Sequence, residues 1–202
     1  MRYGLIAVLV LLASPALAQQ DGWIDMFDGK SLDGWKANEG GQFKVEDGAI
    51  VINGPRSHLY YMEREFDDFV FETEIKTTPG SNSGIYFHTA WQDEGWPATG
   101  HEVQVNISHT DPVKSGSLYN RVKLFEVPAQ DNEWYKCRIT VKGNTLRVKI
   151  NDKVLYEYVQ PEGVTQQPMI SSGLFALQAH DPESVIYYRN LRVKPLDGGA
   201  KK

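Results

Sequence analysis

Hydrophobic and polar residues alternate along this chain in short runs, and Gly, Pro, Asn and Asp separate the runs. A period of two marks half-buried strands, because successive side chains point to opposite faces of a sheet. No long stretch carries the helical period, so the pattern predicts an all-β sandwich. Residues 23–27 form the first expected strand. Residues 43–52 read as a hairpin closed around Asp47-Gly48, a strong two-residue turn signal. Residues 66–77 read as a long strand or a strand pair, with Phe69, Phe71, Thr73 and Ile75 on one face and Val70, Glu72, Glu74 and Lys76 on the other. In 83–89, Tyr86 and His88 are expected on one face and Ile85 and Phe87 on the other. Further strands are expected at 100–107, 121–125, 134–141, 145–150, 154–158, 173–181 and 185–193, the last closing the sheet. Val122 and Leu124 should face inward, and Gln178 should share a face with His180.

The run from Gly100 to Ile107 organises the rest. His101, Val103, Val105 and Ile107 belong to the apolar side, which gives His101 a structural role. Glu102, Gln104 and Asn106 line the opposite side, spaced roughly 7 Å apart. A carboxylate and two carboxamides in a row can grip a polyhydroxylated ligand, since carboxylates accept hydrogen bonds and amides both donate and accept. A solvated outer face is the alternative. The absence of Lys, Arg and Thr favours the ligand reading, because outer faces elsewhere carry Lys136, Arg138, Thr140, Arg147 and Lys149. Trp91 and Trp96 lie in the polar loop before this strand, and either sugar stacking or loop packing accounts for them.

The ends and the charge narrow the class. Arg2, the apolar run 5–12 and Ala16-Leu17-Ala18 read as a cleavable export signal, with the mature chain starting at Gln19. The apolar run is too short to span a bilayer, which argues against a membrane anchor. No Cys stands near the cleavage site to carry a lipid. The expected location is periplasmic or secreted. Without the leader the chain has 20 basic and 26 acidic residues, net −6, which argues against nucleic acid as partner. A single domain over 19–196 is expected, with an unfolded polar tail at 197–202. The single Cys137 shares a face with Tyr135, Ile139 and Val141, so it reads as a core thiol. Helical or Cys-x-x-Cys metal motifs, a phosphate-binding glycine loop and a serine nucleophile elbow are absent.

Several stretches together resemble one family. Met26-Phe27-Asp28-Gly29-Lys30-Ser31-Leu32-Asp33-Gly34-Trp35 is similar to the opening signature of the 3-keto-disaccharide hydrolases. Asn82-Ser83-Gly84-Ile85-Tyr86-Phe87, the Gly-x-Glu-Val-Gln-Val stretch at 100–105, Ser115-Gly116-Ser117-Leu118-Tyr119 and 189–196 are similar to its later motifs, in the same order. The resemblance spans 23–196. It implies a concanavalin-like jelly-roll sandwich and cleavage of 3-keto-glycosides by 1,2-elimination and hydration. In some members it implies a divalent metal. His88 departs from the pattern, where family members often carry Arg.

That chemistry assigns roles. A ketone at C3 acidifies the C2 hydrogen, so the site needs a base near C2, an electrophile for the C3 oxygen and an acid for the leaving oxygen. Glu102 is the candidate base or metal ligand, and His180 the candidate acid, base or ligand. Gln104 and Tyr119 are expected to orient hydroxyls, and Lys123 is placed to polarise the ketone or to remain solvated. His88, Trp91 and Trp96 complete the expected substrate contacts. Two rival readings stand beside this one. A lectin-like sandwich can bind sugar without catalysis. A conventional glycosidase would use Glu72 and Glu74, a pair roughly 7 Å apart by strand geometry, although Lys76 makes a solvated mixed-charge stripe out of the same row.

Overall fold

The computed structural model describes residues 22–163, 171–196 and 200–201. The expected leader at 1–18 and residues 197–199 and 202 of the tail lie outside them. Among the described residues the chain forms strands and no helix. In order these are β1 (Ile24–Asp25), β2 (Trp35–Ala37), β3 (Gln42–Glu46), β4 (Ala49–Asn53), β5 (Ser57–Phe66), β6 (Phe69–Thr77), β7 (Asn82–Thr89), β8 (His101–Asn106), β9 (Tyr135–Lys142), β10 (Thr145–Ile150), β11 (Lys153–Val159), β12 (Gly173–Ala179), β13 (Ile186–Pro195) and β14 (Ala200–Lys201).

They build two antiparallel sheets. The larger runs β11-β10-β9-β6-β13-β4-β3, with β1 on β13. The smaller runs β14-β5-β12-β7-β8, with β2 on β5. Strands adjacent in sequence therefore alternate between the sheets at β5–β6 and β6–β7, the crossing pattern of a jelly roll. Asp47-Gly48 closes the β3–β4 hairpin with φ of 49° and 74°, both left-handed as a two-residue primed turn requires.

The inward faces meet in one apolar core. Phe69, Phe71 and Ile75 point inward from β6 as the alternation predicts, and Phe175 from β12 packs on both phenylalanines at 4.8 Å between ring centres. Two phenols buried between the sheets find partners: Tyr188 Oη lies 2.9 Å from Ser83 Oγ, and Tyr135 Oη 3.2 Å from Ser115 Oγ. Cys137 is buried among Tyr135, Ile139 and Val141, and burial pushes its thiol up to about 12.

Four expectations change. The stretch 66–77 is a corner: Phe66 ends β5 in one sheet, and β6 starts three residues later in the other. The whole of β5 escaped the alternation because residues 57–61 are buried on both faces. Residues 121–125 form no strand; Val122 makes one isolated bridge to Leu118, and Lys123 and Phe125 are exposed. β13 does not close a sheet but lies inside the larger one, between β6 and β4. In the tail, Ala200–Lys201 run antiparallel to Phe66 and Glu65.

Candidate functional site

The outer face of the smaller sheet carries the polar row. β7 and β8 pair so that Tyr86 lies opposite Glu102 and Gly84 opposite Gln104. Their inward neighbours Ile85, Val103 and Val105 are in the core, so Tyr86, Glu102 and Gln104 must face away from it. Gln178 joins them from β12. The row is not solvated: Glu102 is 8 % exposed and Gln104 3 %. Residues 115–119 cover the free edge of β8. Gly116 N–H donates to the Gln104 carbonyl and Tyr119 N–H to that of Glu102, while the Ser117 carbonyl accepts from Gln104 N–H.

The result is a cleft of about 320 Å³, with Tyr86, Glu102, Gln104 and Gln178 on its floor and Asn82, Trp96, Asp111, Tyr119 and His180 around them. This is the lower end of the ~300–1,000 Å³ typical of small-molecule pockets. Tyr86 Oη donates to Glu102 Oε2 at 2.8 Å, and Gln178 Nε2 lies 3.1 Å from Tyr86 Oη and 3.4 Å from Glu102 Oε1. Desolvation raises the Glu102 carboxyl to about 7, against the pull of the Tyr86 and Gln178 hydrogen bonds. Gly84 makes this placement possible. A Cβ there would lie 2.2 Å from Glu102 Oε1, so the carboxyl occupies the space a side chain would fill.

A second group forms the rim. Gln104 Nε2 donates to Asn82 Oδ1 at 2.7 Å. Asn106 is not a ligand contact. Its amide ties the Asp111 and Val113 carbonyls at 2.9 and 2.8 Å and its carbonyl accepts from His109 N–H, which shapes the 108–114 loop. His109 Nδ1 accepts from Asp111 N–H at 3.0 Å. His180 Nδ1 lies 2.7 Å from Asp181 Oδ2. Burial opposes the charge on Asp181, but hydrogen bonds from His180 and Ser184 hold its carboxyl below the usual range. Among the described residues, His109, His180 and Asp181 offer ligand atoms all within 4.8 Å of one another. Two imidazoles and a carboxylate suit a first-row divalent cation, so the donor set fits the metal that the family resemblance implies. Glu102 is outside that group.

Of the residues expected to contact substrate, Gln104, Tyr119 and Trp96 line the cleft beside Glu102 and His180. Three do not. His88 is turned away: its φ is +54°, and the β7–β12 register slips there, so two β7 residues oppose Phe175. Its ring packs on Phe69 and Phe87 and bonds the Asp67 carbonyl at 2.8 Å. Lys123 is exposed on the loop that was expected to be a strand. Trp91 packs on Tyr60 at 5.0 Å, with Lys36 Nζ 3.9 Å from its ring centre. Sequence reasoning did not single out Asn82, Tyr86, Asp111 or His109 for the site. The shared face of Tyr86 with the next strand's Glu102 was the signal available for Tyr86.

Glu72 and Glu74 are not a solvated stripe. Glu72 is 2 % exposed, bonded to Arg138 and, at 2.6 Å, to Arg192; Glu74 bonds Arg189 at 2.7 Å. Burial alone would raise the Glu72 carboxyl, but the two guanidiniums hold it below the carboxylate range. A carboxyl so neutralised is neither an acid nor a free nucleophile, and the pair sits on the other sheet from the cleft. Glu72→Gln should therefore lower stability by about 2 kcal/mol through lost charged hydrogen bonds, with turnover per folded molecule within a few-fold of wild type. Thermal denaturation and an activity assay on the soluble fraction check both halves; an inactive, well-folded variant would restore the conventional glycosidase.

Comparison with known proteins agrees with this picture. Residues 22–194 match the family described as the 3-keto-alpha-glucoside-1,2-lyase-like domain. A protein of Bacteroides thetaiotaomicron named 3-keto-disaccharide hydrolase is 27 % identical over 233 aligned positions, covering 88 % of this chain and 79 % of that protein. A crystal structure from Parabacteroides distasonis, provisionally assigned as a glycosyl hydrolase, superposes with a TM-score of 0.74 at 23 % identity, over 88 % of this chain and 95 % of the other. The carbohydrate-binding module CBM66 of Bacillus subtilis superposes with a TM-score of 0.59 at 15 % identity, over 79 % and 94 %. These two structural likenesses establish the jelly-roll fold.

Proposed function

Because this chain belongs to the family of 3-keto-alpha-glucoside-1,2-lyase-like domains, we propose that it is a glycoside-acting enzyme that cleaves sugars oxidised at C3, by 1,2-elimination and hydration. The observation that carries the reading is the Glu102 carboxyl, buried on the cleft floor and raised to about 7. A base is most effective when its pKa lies near the working pH. The ionised carboxylate takes the C2 proton, and the electron pair passes to the C3 oxygen as an enolate. The pair then returns to form the C1–C2 double bond as the C1–O bond breaks, and the leaving oxygen takes a proton. Hydration reverses the sense: water gives one proton back to the group that protonated the leaving oxygen and adds its hydroxyl to C1, and the proton held by Glu102 returns to C2. The net change is hydrolysis of the glycosidic bond.

Tyr86 and Gln178 hold Glu102 in place from two neighbouring strands. Gln104 and Asn82, bonded to each other, present amide groups to ring hydroxyls, and Tyr119 and Trp96 wall the sugar. With Nδ1 engaged by Asp181, His180 has Nε2 left for the leaving oxygen. In the alternative use, His109, His180 and Asp181 would hold a cation in place of that Nδ1–Asp181 hydrogen bond, and it would supply positive charge for an oxyanion.

The test compares two substrates. The protein should cleave a 3-keto-glucoside and ignore the same sugar unoxidised. Cleavage of the unoxidised sugar would point to a conventional glycosidase, and a melting shift with glycan but no turnover of either to a binding module. Dialysis against a chelator, with and without metal restored, separates the two uses of His180. The reading also has the chain exported, as its N-terminal leader pattern suggests. Mass spectrometry of material from the periplasm or medium should find Gln19 at the N-terminus; an intact Met1 there would refute it.

A further inference from the structure

The floor of the cleft continues beyond what the proposed chemistry uses. On β12 and β5, Gln178 lies opposite His58 and Ala176 opposite Tyr60. Both His58 and Tyr60 are fully buried, on the same outer face as Tyr86. Yet both ring nitrogens of His58, the Tyr60 hydroxyl and the Gln178 Oε1 have no hydrogen-bond partner. Each such orphan costs about 1–3 kcal/mol, and buried polar groups are nearly always paired. Four on two adjacent strands is a concentration that packing does not explain.

What covers the two β5 side chains is one loop: Trp96 lies over His58 and Trp91 over Tyr60, while Gln178 already lines the open cleft. Trp96 is 47 % exposed, yet its ring stands 5.7 Å from His58 and 5.8 Å from His180. The loop is fastened to the sheet's periphery by Gly95 N–H on Glu39 at 2.7 Å and Asn38 Nδ2 on the Gln92 carbonyl at 3.3 Å. The two indoles therefore separate a sugar-sized cleft from a strip of unmet donors and acceptors that starts at Gln178 and runs under them to His58 and Tyr60. Unmet hydroxyl-matching groups beside aromatic faces are what a second saccharide ring requires. The open cleft, at about 320 Å³, sits at the small end of ligand pockets.

We propose that His58, Tyr60 and Gln178 form the floor of a second saccharide subsite, which receives the leaving-group ring of a disaccharide when the loop carrying the Trp91 and Trp96 indoles moves aside. The inference rests on the reading of the Glu102 cleft as the place of 3-keto-glycoside cleavage. A substrate whose leaving group is methanol needs no such subsite, and a 3-keto-disaccharide does.

The test measures kcat/KM for a 3-keto-disaccharide and for methyl 3-keto-glucoside in wild type, Tyr60→Phe and His58→Phe. Tyr60→Phe removes one orphan hydroxyl and keeps the ring against Trp91, so its melting temperature should equal or exceed wild type. In each variant the ratio of disaccharide to methyl glucoside kcat/KM should fall about tenfold, the size of one lost hydrogen bond. An unchanged ratio in both, or an equal fall for both substrates, overturns the proposal. If wild type cleaves neither substrate, the catalytic reading fails on its own. The subsite then still requires that the unoxidised disaccharide raise the melting temperature more than methyl glucoside does, and that Tyr60→Phe abolish the difference; no difference in wild type overturns it.

Discussion

Glu102→Gln should lose about 10²-fold or more in turnover of a 3-keto-glucoside, the usual contribution of one positioned acid–base group, and above neutral pH it should be more stable than wild type. The first half follows because Gln keeps the shape and cannot take a proton. The second follows from linkage. The folded carboxyl titrates at about 7, above its ordinary 4.5, so the folded state holds a proton that the unfolded state has already released. The stabilisation this gives is complete below pH 4.5, declines as pH rises, and is gone above 7. Wild type thus carries a burial penalty of about 3 kcal/mol at pH 8, and the amide removes most of it. Gln178, whose Oε1 lacks a partner, can turn its amide to accept from the new one. Melting curves at pH 4 and pH 8 should show the variant's advantage only at the higher pH. In wild type, kcat/KM should rise with pH through about 7 as the base ionises. Full activity in Glu102→Gln, or a flat profile, would refute the assignment.

Gly84→Ala should be nearly as damaging with no charge altered. The new methyl would sit 2.2 Å from Glu102 Oε1 and 2.8 Å from its Cγ. The backbone at 84 is ordinary extended strand and accepts alanine, so the conflict is resolved by moving the carboxyl off Tyr86 and Gln178. Misplacement by about 1 Å can cost on the order of 10²-fold. The pH profile separates this from general damage. A displaced carboxyl is better hydrated, so its apparent pKa should fall toward 4.5 while the circular dichroism spectrum stays that of wild type. Unaltered turnover in Gly84→Ala would mean that Glu102 does not act from its observed position.

The parts of the molecule written locally were legible in the sequence. Asp47-Gly48 announces its hairpin, and the alternation of 101–106 puts Val103 inward and Glu102 outward without reference to anything else. The parts decided by distant partners were not. His88 follows the same alternation as Tyr86, but a bulge against β12, nearly ninety residues later, turns it into the core. Glu72 reads as a surface charge because its arginines come from positions 66 and 120 residues away. β5 shows no period of two because a tryptophan-bearing loop buries its outer face as well. The polar floor converges from β7, β8 and β12, so a single strand displays only one of its members.

The buried thiol has a consequence for where this protein can be made. Cys137 is the only cysteine, inaccessible and held in its protonated form by its surroundings. There is no crosslink to form and no thiolate to be trapped by one. Oxidising and reducing surroundings therefore offer the chain the same native state, and its stability rests on apolar packing between two sheets in either.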